Sequence, residues 1–116
     1  MKLTKQNIKK MSKERVAERL EKGLTWLKKN PNLRGVGHFA KDDGTRCAVG
    51  ACFPEFQPAD RQVFEKNSAM WEFVTRLKKL SNINVDLTTV NDVKGHGAAI
   101  TYMEGLLKLL RKASNG

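Results

Sequence analysis

Residues 35–53, G-V-G-H-F-A-K-D-D-G-T-R-C-A-V-G-A-C-F, decide the reading of the fold. They hold both cysteines, one of the two histidines and four of the nine glycines, and the chain on either side reads as helix. Val36, His38 and Ala40 alternate with Gly37, Phe39 and Lys41, the period-two pattern of a short strand. Asp42-Asp43-Gly44 is turn chemistry, because Asp tolerates the left-handed region and Gly enters it without steric cost. Residues 45–47 then form the return arm of a hairpin, and the small apolar run that follows passes into a buried helical turn. Gly50 and Ala51 leave room for another backbone to approach closely.

Working outward, Ser12 is placed to cap a helix, and Glu14 suits its positive end. Val16, Leu20, Leu24 and Leu27 form its apolar stripe, with Trp26 at the core edge, and Asn30-Pro31-Asn32 stops it. Residues 1–11 read as a loosely held basic arm with Leu3, Ile8 and Met11 as anchors. After a connector at 54–58, a helix is expected from about 59 to 80, with Asn67-Ser68 as a bend. Its apolar face is Val63, Met70, Val74 and Leu77, widened by Phe64, Trp71, Phe73 and Leu80. Ile83, Val85 and Leu87 alternate with polar residues, which suits an extended segment lying on the hairpin. Residues 90–97 form a second loop, before a last helix from about 97 to 112 built on Ala99, Met103, Leu106 and Leu110. The expectation is one α+β domain over 1–116, mostly α: three or four helices packed around a short β-hairpin, with the C-terminal helix central.

No apolar run is long enough to span a bilayer, and the N-terminus lacks the apolar core of a signal peptide. A cytoplasmic protein with reduced thiols is expected, in the host cytoplasm if the gene is carried by a phage. The net charge of +10 is uneven: residues 1–34 carry eleven Lys/Arg against three Glu. Residues 35–60 carry two against four. Lys5, Lys9, Lys10, Lys13, Lys28, Lys29 and Arg34 have few carboxylates beside them. They suit contact with nucleic-acid phosphates or an acidic protein surface, although lysine-rich helix faces also serve solubility alone. No zinc finger, homeodomain or RNP signature accompanies them.

G-H-F, then D-x-G-x-x-C-A-V-G-A, then an Asn-Asp pair before a closing apolar helix, resembles a family of small bacterial and phage proteins of unknown function. The matching positions are Phe39, Asp43 or Asp42, Gly44, Cys47, Gly50, Ala51, Asn91 and Asp92, with Val90 where the family has tryptophan. The resemblance runs from the hairpin onward, leaves residues 1–15 outside, and implies an α+β domain without an activity.

Cys47, Cys52, His38 and His96 are the four strong soft ligands, but Cys47-x4-Cys52 places the sulfurs on different faces of either a helix or a strand. No metal site or cofactor is therefore expected. Cys47 with His38 or His96 and Asp43 or Asp92 supplies the residue types of a nucleophile, base and orienter. No elbow, P-loop or paired-carboxylate signature supports that chemistry. Gly95-His96-Gly97 opens the last helix beside Lys94, where backbone N–H groups meet an anion, but Asp92 opposes one. Asp43, Asn91, Asp92 and His96 are the expected binding residues, on two loops packed side by side. The favoured function is non-enzymatic: a small basic binding protein, an accessory or regulatory factor. A Cys47–His38–Asp43 enzyme and a self-associating structural protein are the alternatives.

Overall fold

Thr4 accepts a bond from the N–H of Asn7 at 3.1 Å and starts α1 (Lys5–Lys9). The computed structural model describes residues 3–58 and 63–115, so this helix stands at the start of the described chain. Leu3, Ile8 and Met11 are all buried, so residues 3–11 are packed rather than loosely held. The clamp is Arg76, whose Nε and Nη2 donate to the carbonyl of Met11 at 3.1 and 2.9 Å. Ser12 caps α2 (Lys13–Lys29) through a bond from the N–H of Arg15 at 3.2 Å. The stripe Val16, Leu20, Leu24 and Leu27 is buried, and Asn30 ends the helix ahead of a 3-10 turn, Pro31–Leu33.

The expected hairpin does not form. Among the described residues the fold is all-helical, with no strand or sheet, and this overturns the α+β expectation. Residues 34, 40 and 46 make only isolated bridges, Arg34 with Arg46 and Ala40 with Arg46. The Asp42–Asp43 turn is present: Gly44 N–H reaches the Lys41 carbonyl at 3.0 Å, and Gly44 takes φ +89°. The ladder stops there for two reasons. Gly37 has φ +80°, which breaks the extended run, and α3 (Ala48–Ala51) begins before a return arm has room to pair.

Every residue of α3 is buried, and α2, α4 (Val63–Ser81), α5 (Leu87–Thr89) and α6 (His96–Asn115) all touch it. This four-residue helix is the centre of the molecule, and small side chains make that possible. The carbonyl of Phe39 lies 1.7 Å from where a Cβ on Gly50 would sit, and Cys52 Sγ lies 2.6 Å from the same point on Gly23 of α2. α2 and α6 run antiparallel, pinned by Glu21 with Arg111 and by Lys28 with Glu104. Leu20, Leu24 and Leu27 share the core with Met103, Leu106 and Leu110.

α4 continues through Asn67 and Ser68 without a break, and the expected start at 59–62 lies outside the described residues. Met70, Phe73, Val74 and Leu77 are buried as the spacing requires. Phe64 and Trp71, expected to widen that face, are 88% and 54% exposed. Residues 83–86 form no strand; the Tyr102 hydroxyl donates to the Val85 carbonyl at 2.6 Å and holds them. α5 opens into a wider helical turn, Val90–Lys94, before Gly95 reverses the chain at φ +88°.

Gly50→Ala should cost at least about 3 kcal/mol in urea unfolding, because the loop over α3 must lift. Gly105→Ala, on an exposed turn of α6 with nothing within 4 Å, should gain about 0.5–1 kcal/mol.

Candidate functional site

Two side chains from outside α3 complete its ends. Asn91 is fully buried; its Oδ1 accepts from the Ala48 N–H at 3.0 Å, and its Nδ2 donates to the Gly35 carbonyl at 3.1 Å. Asn91 thus caps α3, not the helix that follows it in sequence. At the other end, Arg46 is 7% exposed and spreads its guanidinium over four carbonyls. Nη1 donates to Gly50 at 3.3 Å and Phe53 at 3.2 Å; Nη2 donates to Pro54 at 3.1 Å and to Phe56. These satisfy carbonyls that the short helix leaves open. Nothing in the sequence singles out Arg46, since a position beside a turn gives no sign of burial.

The neighbours of Asn91 fix the loop above α3. Asp92 Oδ1 accepts from the Gly37 N–H at 3.2 Å and from Asn91 Nδ2 at 2.9 Å. His96 Nε2 donates to the Gly35 carbonyl at 3.1 Å, which sets its tautomer because that partner only accepts. Asn91, Asp92 and His96 therefore meet residues 35–37. Asp43 stays apart, and binds the N–H and hydroxyl of Thr45 at 2.9 and 2.6 Å. The Thr45 hydroxyl, then its N–H, hold the Asp43 carboxyl below the usual value. With the Thr45 proton given to Asp43, His38 Nε2 must donate to Thr45 Oγ1, 2.9 Å away.

In that arrangement His38 and Asp43 both bond Thr45, and neither is hydrogen-bonded to Cys47 among the described residues. The base nitrogen of His38 carries its proton towards Thr45, and Asp43 orients Thr45 rather than a ring. Cys47 is 3% exposed, and its Sγ accepts from the Gly50 N–H at 3.5 Å. Burial pushes its thiol up, against the pull of the α3 N–H groups, and Asp92 adds to the rise. Cys52, fully buried, donates to the Ala48 carbonyl at 3.4 Å and is raised further by the same desolvation. Both cysteines are free thiols, and among the described residues no three His, Cys, Asp or Glu side chains converge as a metal site.

Between the loop and α4 lies an open cleft of about 360 Å³, within the size range of small-ligand sites. Phe39 and Trp71 form one corner, rings 5.3 Å apart and inclined at 75°. His38, Cys47, Thr88 and Asp92 reach the same space. The sequence pattern puts Trp71 in the core, since helical spacing alone does not tell a face meeting α3 from one meeting a cleft.

The structure divides the seven basic candidates. Lys5, Lys9, Lys10 and Lys13 sit on α1 and the first turn of α2, with no ion pair among the described residues. Arg76 of α4 reaches the Met11 carbonyl between α1 and α2, and Arg111 of α6 meets Glu21 about two turns into α2. Glu14 and Glu18 are the exposed carboxylates on that part of α2. Lys28, Lys29 and Arg34 lie at the far end of α2, about 24 Å away at 1.5 Å per residue. There Lys28 pairs with Glu104 at 3.4 Å, and Arg34 donates twice to the Leu27 carbonyl.

Compared with known proteins, the chain matches no family model, no curated protein and no solved structure. The family resemblance from residue 39 to the Asn91–Asp92 pair thus adds nothing to the site beyond these contacts. Among the described residues no helix is long and apolar enough to cross a membrane.

Asn91→Ala should destabilise by about 2–3 kcal/mol in urea unfolding, because a buried N–H at the start of α3 loses its acceptor. Asp92→Ala, at an exposed position, should cost no more than about 1 kcal/mol in the same assay. An aromatic disulfide reagent should label neither thiol of the native protein at more than about one-hundredth of its rate in denaturant, as burial of both sulfurs requires.

Proposed function

We propose that the protein is a small non-enzymatic binding factor that holds a nucleic-acid backbone at its basic end. The observation that carries this reading is that Lys5, Lys9, Lys10 and Lys13, on α1 and at the start of α2, form no ion pair among the described residues. Ammonium groups spread over a convex helical end contact phosphates without reading bases, so the binding is sequence-independent. It also releases counterions, so affinity falls steeply with salt. The cations at the far end contribute less, because Lys28 has a carboxylate partner and Arg34 caps α2.

Duplex DNA affinity measured against salt tests this. A Lys9/Lys10/Lys13→Glu variant should lose most binding and flatten the salt slope by about two to three. A Lys28/Lys29→Glu variant should keep most of both. Equal loss in the two variants, or salt-insensitive affinity in the parent, would sink the reading.

A further inference from the structure

The cleft between the loop and α4 takes no part in that contact, and its chemistry differs from that of the basic end. Its corner is aromatic, with the Trp71 ring half exposed and the Phe39 ring set nearly at right angles to it. In this edge-to-face pair the rim of one ring meets the face of the other, so the half-exposed Trp71 is the aromatic surface that the cleft offers a cation. Asp92 is the one described lining residue with a permanent charge, a carboxylate in a chain of net +10. Its Oδ1 is held by Gly37 and Asn91, which fixes the group, while Oδ2 has no partner among the described residues. Thr88 and Asn67 also line the cleft with no side-chain bond among the described residues.

We infer that this cleft binds a small organic cation whose charged nitrogen carries methyl groups. The carboxylate supplies the charge complement, and a methylated ammonium is hydrated weakly enough to leave water for the aromatic corner. A bare ammonium keeps its water shell and gains less from the rings. The hydroxyl of Thr88 and the amide of Asn67 are placed to bond a polar tail on the same ligand. A volume of about 360 Å³ suits a small molecule, at the low end of the range for such sites.

Titration calorimetry on the full chain at constant ionic strength tests it, with choline as the probe. Three controls accompany it: ethanolamine, the neutral isostere of choline in which carbon replaces nitrogen, and choline with the Lys9/Lys10/Lys13→Glu variant. Choline should bind at one site with a millimolar or tighter Kd, ethanolamine more weakly, and the neutral isostere at least about tenfold more weakly. Asp92→Asn keeps an oxygen acceptor for the Gly37 N–H and removes the charge; with Trp71→Leu it should lower choline affinity at least about tenfold. The triple lysine variant should bind choline as the parent does, which separates this site from the basic end. Absence of choline binding, equal binding of the neutral isostere, or undiminished binding by folded Asp92→Asn would overturn the assignment.

Discussion

A single turn of helix cannot hold itself together in water, and α3 is one turn placed where no water reaches. Its backbone groups must find partners or the core does not close. Asn91 answers at the front and Arg46 at the back, one from 43 residues downstream and the other from two positions before the helix starts. Helices α2, α4 and α6 then pack on a core piece whose polar ends are already satisfied. Helix α6 also packs directly against α2 and α4.

The same constraint shapes the cleft and leaves the lysines of α1 and α2 outside it. Around the front of α3 the chain is tied down by carbonyls and amides, and the loop carrying Phe39 is pressed onto Gly50 closely enough to exclude a side chain there. That rigid loop sets the angle between Phe39 and Trp71 and keeps Asp92 beside them. On α1 and the start of α2, by contrast, long lysine side chains have no ion pair among the described residues. A well-fixed cleft and a diffuse cationic surface suit different kinds of recognition, one by shape and the other by charge.

Much of the helical framework is legible in the sequence. Ser12, the Val16–Leu20–Leu24–Leu27 spacing and Asn30-Pro31 carry their own signals, and α2 follows them closely. The close approach at Gly50 is legible too, because two adjacent residues with almost no side chain open a space that only a neighbouring backbone fills well. The hairpin pattern misleads because residues 36–41 alternate for a reason other than pleating: Phe39 faces Trp71, while its carbonyl meets α3. A period of two cannot report what lies on either side of it. Arg46 stays hidden for a related reason. Burial of a guanidinium depends on carbonyls supplied by the next ten residues, and composition does not show where those carbonyls point. α1 looks like a loose arm because five residues are too few to display a period, yet its Thr4 cap and buried Ile8 suffice once α4 is beside it.

The pairing of α2 with α6 also bears on how the chain leaves the ribosome. Glu21 and Arg111 are 90 residues apart, and at ordinary rates of translation that gap lasts about 5–18 s. Throughout that interval the leucines of α2 lack their partners on α6, and Asn91 has not arrived for most of it. Helix α2 is amphipathic and long enough to form transiently, so the nascent chain displays an apolar ridge flanked by lysines. Native closure is therefore a late event in synthesis.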